Sequence, residues 1–179
     1  MLTIRAMTEA DVDAVAAIHV RAWRAGYAGI IADDYLDALD VAAFAERHRS
    51  RITRARSEPV LANARTVVAV AGSEVVGFAS FGPYLRDDDT FDPAMGHLYA
   101  IYVHPDHWGR GAGRELISAA RAALTEAGFP GMRLWVLEEN HRARRFYERA
   151  GLSPDGVRQT YVPRGSTQEL PELRYATAL

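Results

Sequence analysis

Gly109, Gly111 and Gly113 recur at every second position in the segment LYAIYVHPDHWGRGAGR, which runs from Leu98 to Arg114. Glycine adopts φ > 0 freely and lets a ligand approach the backbone without meeting a Cβ. The first N–H groups of a helix lack intrahelical acceptors and lie at the positive end of its dipole. A glycine turn that runs into a helix therefore suits a phosphate. Here it is read as a pyrophosphate cradle, with Arg110 and Arg114 as charge partners. The dipole alone contributes only about 0.3–1 kcal/mol at an exposed end, so affinity needs several N–H bonds. From the glycines alone, a plain turn is the competing reading. Two other nucleotide signatures fail. The Walker pattern needs a Lys, and the chain contains none. Gly-x-Gly-x-x-Gly is not matched by Gly109 to Arg114.

Other residue types narrow the chemistry further. The absence of Cys excludes disulfides, zinc–thiolate sites and a Cys nucleophile. Any group transfer therefore proceeds without an acyl-cysteine. His97, His104 and His107 cluster in sequence, but no carboxylate stands at matching spacing, so no metal site is expected. Five arginines lie between positions 47 and 56, either as an anion-binding patch or as a solvated helix face. Asp87, Asp88, Asp89 and Asp92 could attract a cation or simply form an exposed acidic loop.

These groups must be positioned by strands and helices. Leu98 to Val103 is an unbroken apolar and aromatic run that predicts a buried strand, ended by Pro105. Leu116, Ile117, Ala120, Ala123, Leu124 and Ala127 form one helical stripe after the glycines. Leu2 to Met7 predicts a first strand. Thr8 and Asp11 stand at capping-box spacing before a helix through Val12, Val15 and His19 to about Ala25. A second helical region begins at Asp33, and Asp40 can cap a separate segment within it. Thr66 to Ala71 and Glu74 to Tyr84 predict a hairpin at Gly72-Ser73, followed by a loop from Leu85 to Gly96. Met132 to Leu137 predicts another strand, then a helix from Asn140 to Ala150, then strands over Val157 to Val162 and Leu173 to Ala178. The order βααβββαβαββ implies an α/β sheet of six or seven strands with helices on both faces.

The length of 179 residues suits a single domain over 1–179. A net charge of −2 favours neither nucleic acid nor an anionic membrane as partner. The N-terminus lacks a signal-peptide core and no apolar run approaches a membrane span, so a cytoplasmic location is expected.

VHPDHWGRGAG and the Ala/Leu-rich helix after it resemble motif A of the GNAT N-acetyltransferase superfamily, Gln/Arg-x-x-Gly-x-Gly/Ala. Trp108 stands at the Gln/Arg position, a departure that is accommodated where only the backbone N–H is used. Asn140 to Leu152, with Ala143, Phe146, Tyr147 and Gly151, resembles motif B, Asn-x-x-Ala-x-x-Phe-Tyr-x-x-x-Gly-Phe. The two motifs occur in the family's order.

The resemblance implies a mixed, mostly antiparallel sheet flanked by about four helices. It implies acetyl-coenzyme A as co-substrate, with no metal, and direct acetyl transfer to a primary amine in a ternary complex. Its pyrophosphate would lie on Trp108, Gly109, Arg110, Gly111, Ala112, Gly113 and Arg114. Its pantetheine would pair with the strand around Ile101, Tyr102 and Val103, as a ligand strand added to a sheet. Asn140 would hydrogen-bond the cofactor, cap its own helix, or both. Tyr147 matches the position that protonates the departing thiolate, a role suited to a phenol of pKa about 10. His97 stands where many relatives carry a Glu base; a neutral His could accept a proton there, or it is a strand-entry His with a structural partner and a water chain serves as base. Trp23 and Tyr27 are one helical turn apart and are expected either in the acceptor pocket or in the core. A small-molecule amine is the leading acceptor. A protein N-terminus and a non-catalytic acyl-coenzyme A sensor are the alternatives. Edge-to-edge dimers are common in the family, which leaves oligomeric state open.

Overall fold

Alternation of apolar side chains builds a seven-stranded sheet in this computed structural model, which describes all 179 residues. The elements, in chain order, are β1 (Leu2–Ala6), α1 (Val12–Gly26), α2 (Asp33–Asp37), α3 (Val41–Ser57), β2 (Arg65–Ala71), β3 (Glu74–Leu85), β4 (Phe91–Val103), α4 (Ala112–Glu126), β5 (Gly131–Leu137), α5 (His141–Arg149), β6 (Ser153–Tyr161) and β7 (Leu170–Ala178). The strands lie side by side in the order β1-β2-β3-β4-β5-β7-β6. Every pairing is antiparallel except β4 with β5. No helix is long and apolar enough to cross a membrane.

Two layers of helix cover the sheet. On one face α4 and α5 bury Leu116, Ala120 and Leu124 against Leu98, Met132 and Tyr175. On the other, α1 packs Val15 and Ile18 onto Val68, Val70 and Phe78, and α3 closes over α1 through Phe44 and Ala45. The entry to α1 is held by charge. The Asp11 carboxylate accepts both guanidinium N–H groups of Arg5 at 2.7 Å, and it accepts the Thr8 N–H and hydroxyl at 2.8 Å. That is the capping position expected from the spacing, strengthened by an arginine that the spacing did not single out.

Three boundaries differ from the sequence expectation, each for a physical reason. The second helical region divides into α2 and α3, because the Asp40 carboxylate caps α3 by accepting the N–H groups of Ala42 and Ala43 at 3.3 and 3.1 Å. Part of the expected loop is strand: β4 begins at Phe91, and its register shifts between Pro83 and Tyr84 so that Pro93 to Met95 bulge out. The last two strands begin earlier, at Ser153 and Leu170. β6 is an exposed edge strand interrupted by Pro154 and Gly156, so alternation is weak there.

One junction sets up the site. β4 and β5 pair only at Gly96 with Met132 and His97 with Arg133, and then they separate. At the closed end, a Cβ on Gly96 would lie 2.9 Å from the Gly131 carbonyl oxygen and 3.2 and 3.3 Å from the two Leu124 methyls. Backbone cannot yield there as a flexible side chain can. Gly96→Ala is expected to cost about 1–3 kcal/mol and to widen the gap between the two strands. Urea unfolding of the variant beside the wild type measures the cost, and an unchanged midpoint would show that the junction tolerates the methyl group.

Candidate active site

The separated strands leave one edge of β4 unpaired. The Val103 carbonyl accepts the Trp108 indole N–H at 2.8 Å, whereas the next amide, His104, donates to Val76 on β3 at 2.8 Å. Successive peptide groups of a strand point to opposite edges. The Val103 and Ile101 backbone groups therefore face the gap, while Tyr102 pairs with Phe78 on β3.

The glycine turn follows. A short 3₁₀ turn over Pro105–His107 ends with the Trp108 N–H donating to Pro105 at 3.1 Å. Gly109 and Gly111 then take φ of +75° and +92°, and nothing lies within 4 Å of where a Cβ would stand on either. From Gly109 to Arg114 no backbone N–H has an acceptor in the protein; the first to regain one is Glu115, which donates to Gly111 at 3.1 Å. Six successive donors thus open on a surface without side chains at its two left-handed positions. Gly113 does something else. A Cβ there would lie 3.2 Å from Phe146, so this glycine lets α4 approach α5. Arg110 and Arg114 are exposed, and Arg114 pairs with Glu115 at 3.2 Å. The Trp108 side chain ties the turn together: its indole holds Val103, and the Arg142 guanidinium stacks 3.2 Å from its ring centre.

α5 brings Asn140 and Tyr147 to the same gap. Asn140 Oδ1 accepts the Ala143 N–H at 3.1 Å, which makes it the N-cap and leaves its amide group for other partners. Tyr147 is 9% exposed, and its hydroxyl has no partner in the protein. The residue belongs to the main apolar cluster and also lines the open cleft. Burial pushes its phenol well above the ordinary value, so it stays protonated at any physiological pH.

His97 lies in the wall of the cleft, between Tyr84 and Tyr99 at ring distances of 4.9 and 4.8 Å. Its Nδ1 accepts the Leu85 N–H at 3.1 Å, and burial lowers its pKa to about 3. The lone pair that a base needs is thus engaged by the sheet, and Nε2 carries the hydrogen of the neutral ring. His104 and His107 hold the 3₁₀ turn, and no group of three metal-ligating side chains converges anywhere in the molecule.

The far half of the cleft is aromatic. Tyr102 stacks on His19 at 4.6 Å, and its hydroxyl lies 3.2 Å from that of Tyr27. Trp23 stands edge-on to Tyr27 at 5.0 Å, and its indole Nε1 is the one buried side-chain polar atom without a partner. Both residues line the cleft, which encloses about 1420 Å³ and runs unbroken from the glycine turn to α3. Trp23 and Tyr27 thus both wall the pocket and pack with Ile31 and Leu36.

Sequence reasoning missed Glu172. It is half-buried on β7, lines the cleft, and accepts the Gln159 amide N–H at 2.7 Å. Burial raises its pKa, which makes it a better proton acceptor than an exposed carboxylate. β7 begins at Leu170, so Glu172 shares a face with Leu170, which packs under α2. The period-two pattern points to it once the strand is extended past Pro171.

Comparison with known proteins agrees with this geometry. The family described as Acetyltransferase (GNAT) matches residues 30–152. The uncharacterized N-acetyltransferase YuaI of Bacillus subtilis is 36% identical over 143 residues, spanning 78% of this chain and 74% of that protein. The probable N-acetyltransferase Rv2775 of Mycobacterium tuberculosis is 29% identical over 163 residues, spanning 90% of this chain and 86% of its own length. Among solved structures, the PaiA N-acetyltransferase of Thermoplasma acidophilum in complex with coenzyme A superposes with a TM-score of 0.78, at 19% identity, over 100% of this chain and 99% of that one. That likeness is one of fold.

Proposed function

The chain belongs to the acetyltransferase (GNAT) family, and from that premise we propose that it moves the acetyl group of acetyl-coenzyme A directly onto the primary amine of a small molecule, in a ternary complex. One observation carries the reading. A single cleft joins the free N–H groups of Gly109 to Arg114 to the unpartnered hydroxyl of Tyr147. The first suits a pyrophosphate and the second a departing thiolate.

In this reading the six amides and Arg110 hold the pyrophosphate. The gap-facing backbone of Ile101 pairs with the amides of the pantetheine arm, and the Val103 N–H donates to the thioester carbonyl oxygen as it becomes an oxyanion. The indole of Trp108 occupies the Val103 carbonyl, so the N–H is the one backbone group of that residue left for the ligand.

The amine arrives as an ammonium and loses one proton to Glu172. Its nitrogen then attacks the thioester carbon, the N–C bond forms and the C–S bond breaks. Tyr147 gives a proton to the sulfur and is restored by the second proton leaving nitrogen. The sum is an amide, a free thiol and one proton released to water. The family resemblance offers His97 either as the base or as a strand residue with a structural partner. With its lone pair on Leu85, we assign the role of base to Glu172 and give His97 to the sheet. A carboxylate in the cleft also favours a catalyst over a sensor that binds without turnover.

Incubation with acetyl-coenzyme A and a panel of amines, read by a thiol reagent, is expected to give amine-dependent thiol release with intersecting double-reciprocal lines. Parallel lines would overturn direct transfer. Failure to bind coenzyme A in calorimetry would overturn the whole reading.

A further inference from the structure

The five arginines of α3 divide into two groups. Three are paired with carboxylates: Arg49 with Asp13 at 2.8 Å, Arg54 with Glu58 at 2.7 Å and Arg56 with Glu9 at 2.9 Å. Arg47 and Arg51 have no carboxylate partner, and both line the cleft. They stand at i and i+4, so they project from one face of the helix. The Arg47 guanidinium lies 4.6 Å over the Phe44 ring. The charges of both are felt by His48 and His19 beside them. His19 Nδ1 and His48 Nε2 share a hydrogen bond at 3.2 Å, both rings are buried, and an imidazole carries no negative charge to offset the arginines.

Both are exposed, so solvent screens them and the fold does not need to pair them; what sets them apart on this helix is that they lie one turn apart on the cleft side with their guanidinium groups free for a ligand. The opposite charge in the cleft is Glu172, across from α3 on β7 and fixed by Gln159. The Tyr161 phenol lines the same cleft and feels the charges of both Glu172 and Arg47. The acceptor half of the cleft therefore carries cationic groups from α3 and an anionic one from β7, and Trp23 and Tyr27 supply aromatic wall in the same cleft.

We propose that the acceptor is a free amino acid, bound with its carboxylate on Arg47 and Arg51 and its ammonium toward Glu172. A planar carboxylate matches paired guanidinium donors, and such charge-assisted bonds are the strong ones. The inference rests on the amine-acetylation reading above and names the substrate class for that same site. The transfer step is unchanged: N–C forms, C–S breaks, and the two ammonium protons leave through Glu172 and Tyr147.

The test compares three versions of one apolar amino acid: the free acid, its carboxamide and its decarboxylated amine. The free acid is expected to show a kcat/KM about 10- to 100-fold higher than either. In the Arg47→Ala, Arg51→Ala double variant this preference should collapse to within a few-fold, through KM for the acid, while KM for acetyl-coenzyme A and the melting temperature hold. Arg51→Lys should restore part of it, because a point charge replaces a fork. Equal rates on acid, amide and amine would overturn the inference and leave the acetyltransferase reading intact. So would a preference that survives the double variant. Faster turnover of the carboxamide or of a dipeptide would overturn it in favour of peptide N-termini. No thiol release with any of the three, in protein that binds coenzyme A and turns over another amine of the panel, would likewise overturn the inference alone; no release with the whole amine panel would remove the acetylation reading and the inference with it.

Discussion

Replacing Tyr147 by Phe is expected to lower kcat by about 10²- to 10⁴-fold, the usual range for a lost general acid, while the affinity for coenzyme A stays close to that of the wild type. The ring remains in place between Phe146 and Tyr175, at 5.3 and 6.3 Å, so the cleft keeps its shape. The hydroxyl has no partner in the protein, so its removal orphans no buried group, and stability should hold to within about 0.5 kcal/mol. Single-turnover kinetics beside calorimetric titration separate the two effects. A parallel loss of cofactor binding would make Tyr147 a packing residue, and an unchanged kcat would assign the thiolate's proton to water. Because burial raises this phenol, the alkaline limb of the wild-type rate profile should not come from Tyr147 below about pH 10.

Mild acid should destabilise the protein by several kcal/mol. His19, His48 and His97 are 7%, 3% and 7% exposed, and burial lowers all three: His48 to about 4, His97 to about 3, and His19 well below its usual value. In the unfolded chain each titrates near 6.5. Above that pH neither state is protonated. Below it the unfolded chain binds protons that the folded protein refuses, so stability is complete above about pH 6.5 and is lost as pH falls toward 4 for His48 and toward 3 for His97. Each pH unit costs about 1.4 kcal/mol per histidine. At pH 5 His48 and His97 together remove about 4 kcal/mol, and His19 adds to the loss in the same direction, which is a large share of the stability of an ordinary domain. Glu172 opposes them, because its raised carboxyl takes up a proton more readily when folded, but it is one group against three. The Asp11 carboxyl is held far below the usual range by Arg5 and contributes only at lower pH.

Urea titrations at pH 8, 6 and 5 measure this loss. His97→Gln should flatten the curve by about one proton, since an amide oxygen can accept the Leu85 N–H without titrating. Equal stability at pH 8 and pH 5 would mean that these rings are protonated in the folded state. The physical source is visible in the contacts. Protonating His97 would break its bond to Leu85, and protonating His19 and His48 together would set two cations 3.2 Å apart beside Arg47 and Arg51.

What the sequence determined by itself was everything encoded between near neighbours in the chain. The strand, glycine turn and helix from Leu98 to Glu126 are specified by period two giving way to period 3.6 across residues that tolerate positive φ. Asp40 and Asn140 stand at caps because a short polar side chain reaches an amide three residues on, and Asp11 reaches back three residues to accept the Thr8 N–H and hydroxyl. The absence of Cys removed one class of mechanism before any fold was known.

Tertiary structure alone decided what depends on residues far apart meeting. Nothing local tells Arg47 and Arg51 from Arg49 and Arg56; four of the five arginines line the cleft, and beside the Glu58 that Arg54 meets one turn on, only the tertiary placement of Asp13 and Glu9 gives Arg49 and Arg56 a carboxylate and leaves Arg47 and Arg51 without one. His97 has the chemistry of a base until the bulged return of β3 puts the Leu85 amide on its nitrogen. Trp108 reads as a spacer until its indole closes on Val103. The gap between β4 and β5 has no sequence signature of its own, because strands part when their registers and twists cease to match, and that condition is set by the whole sheet.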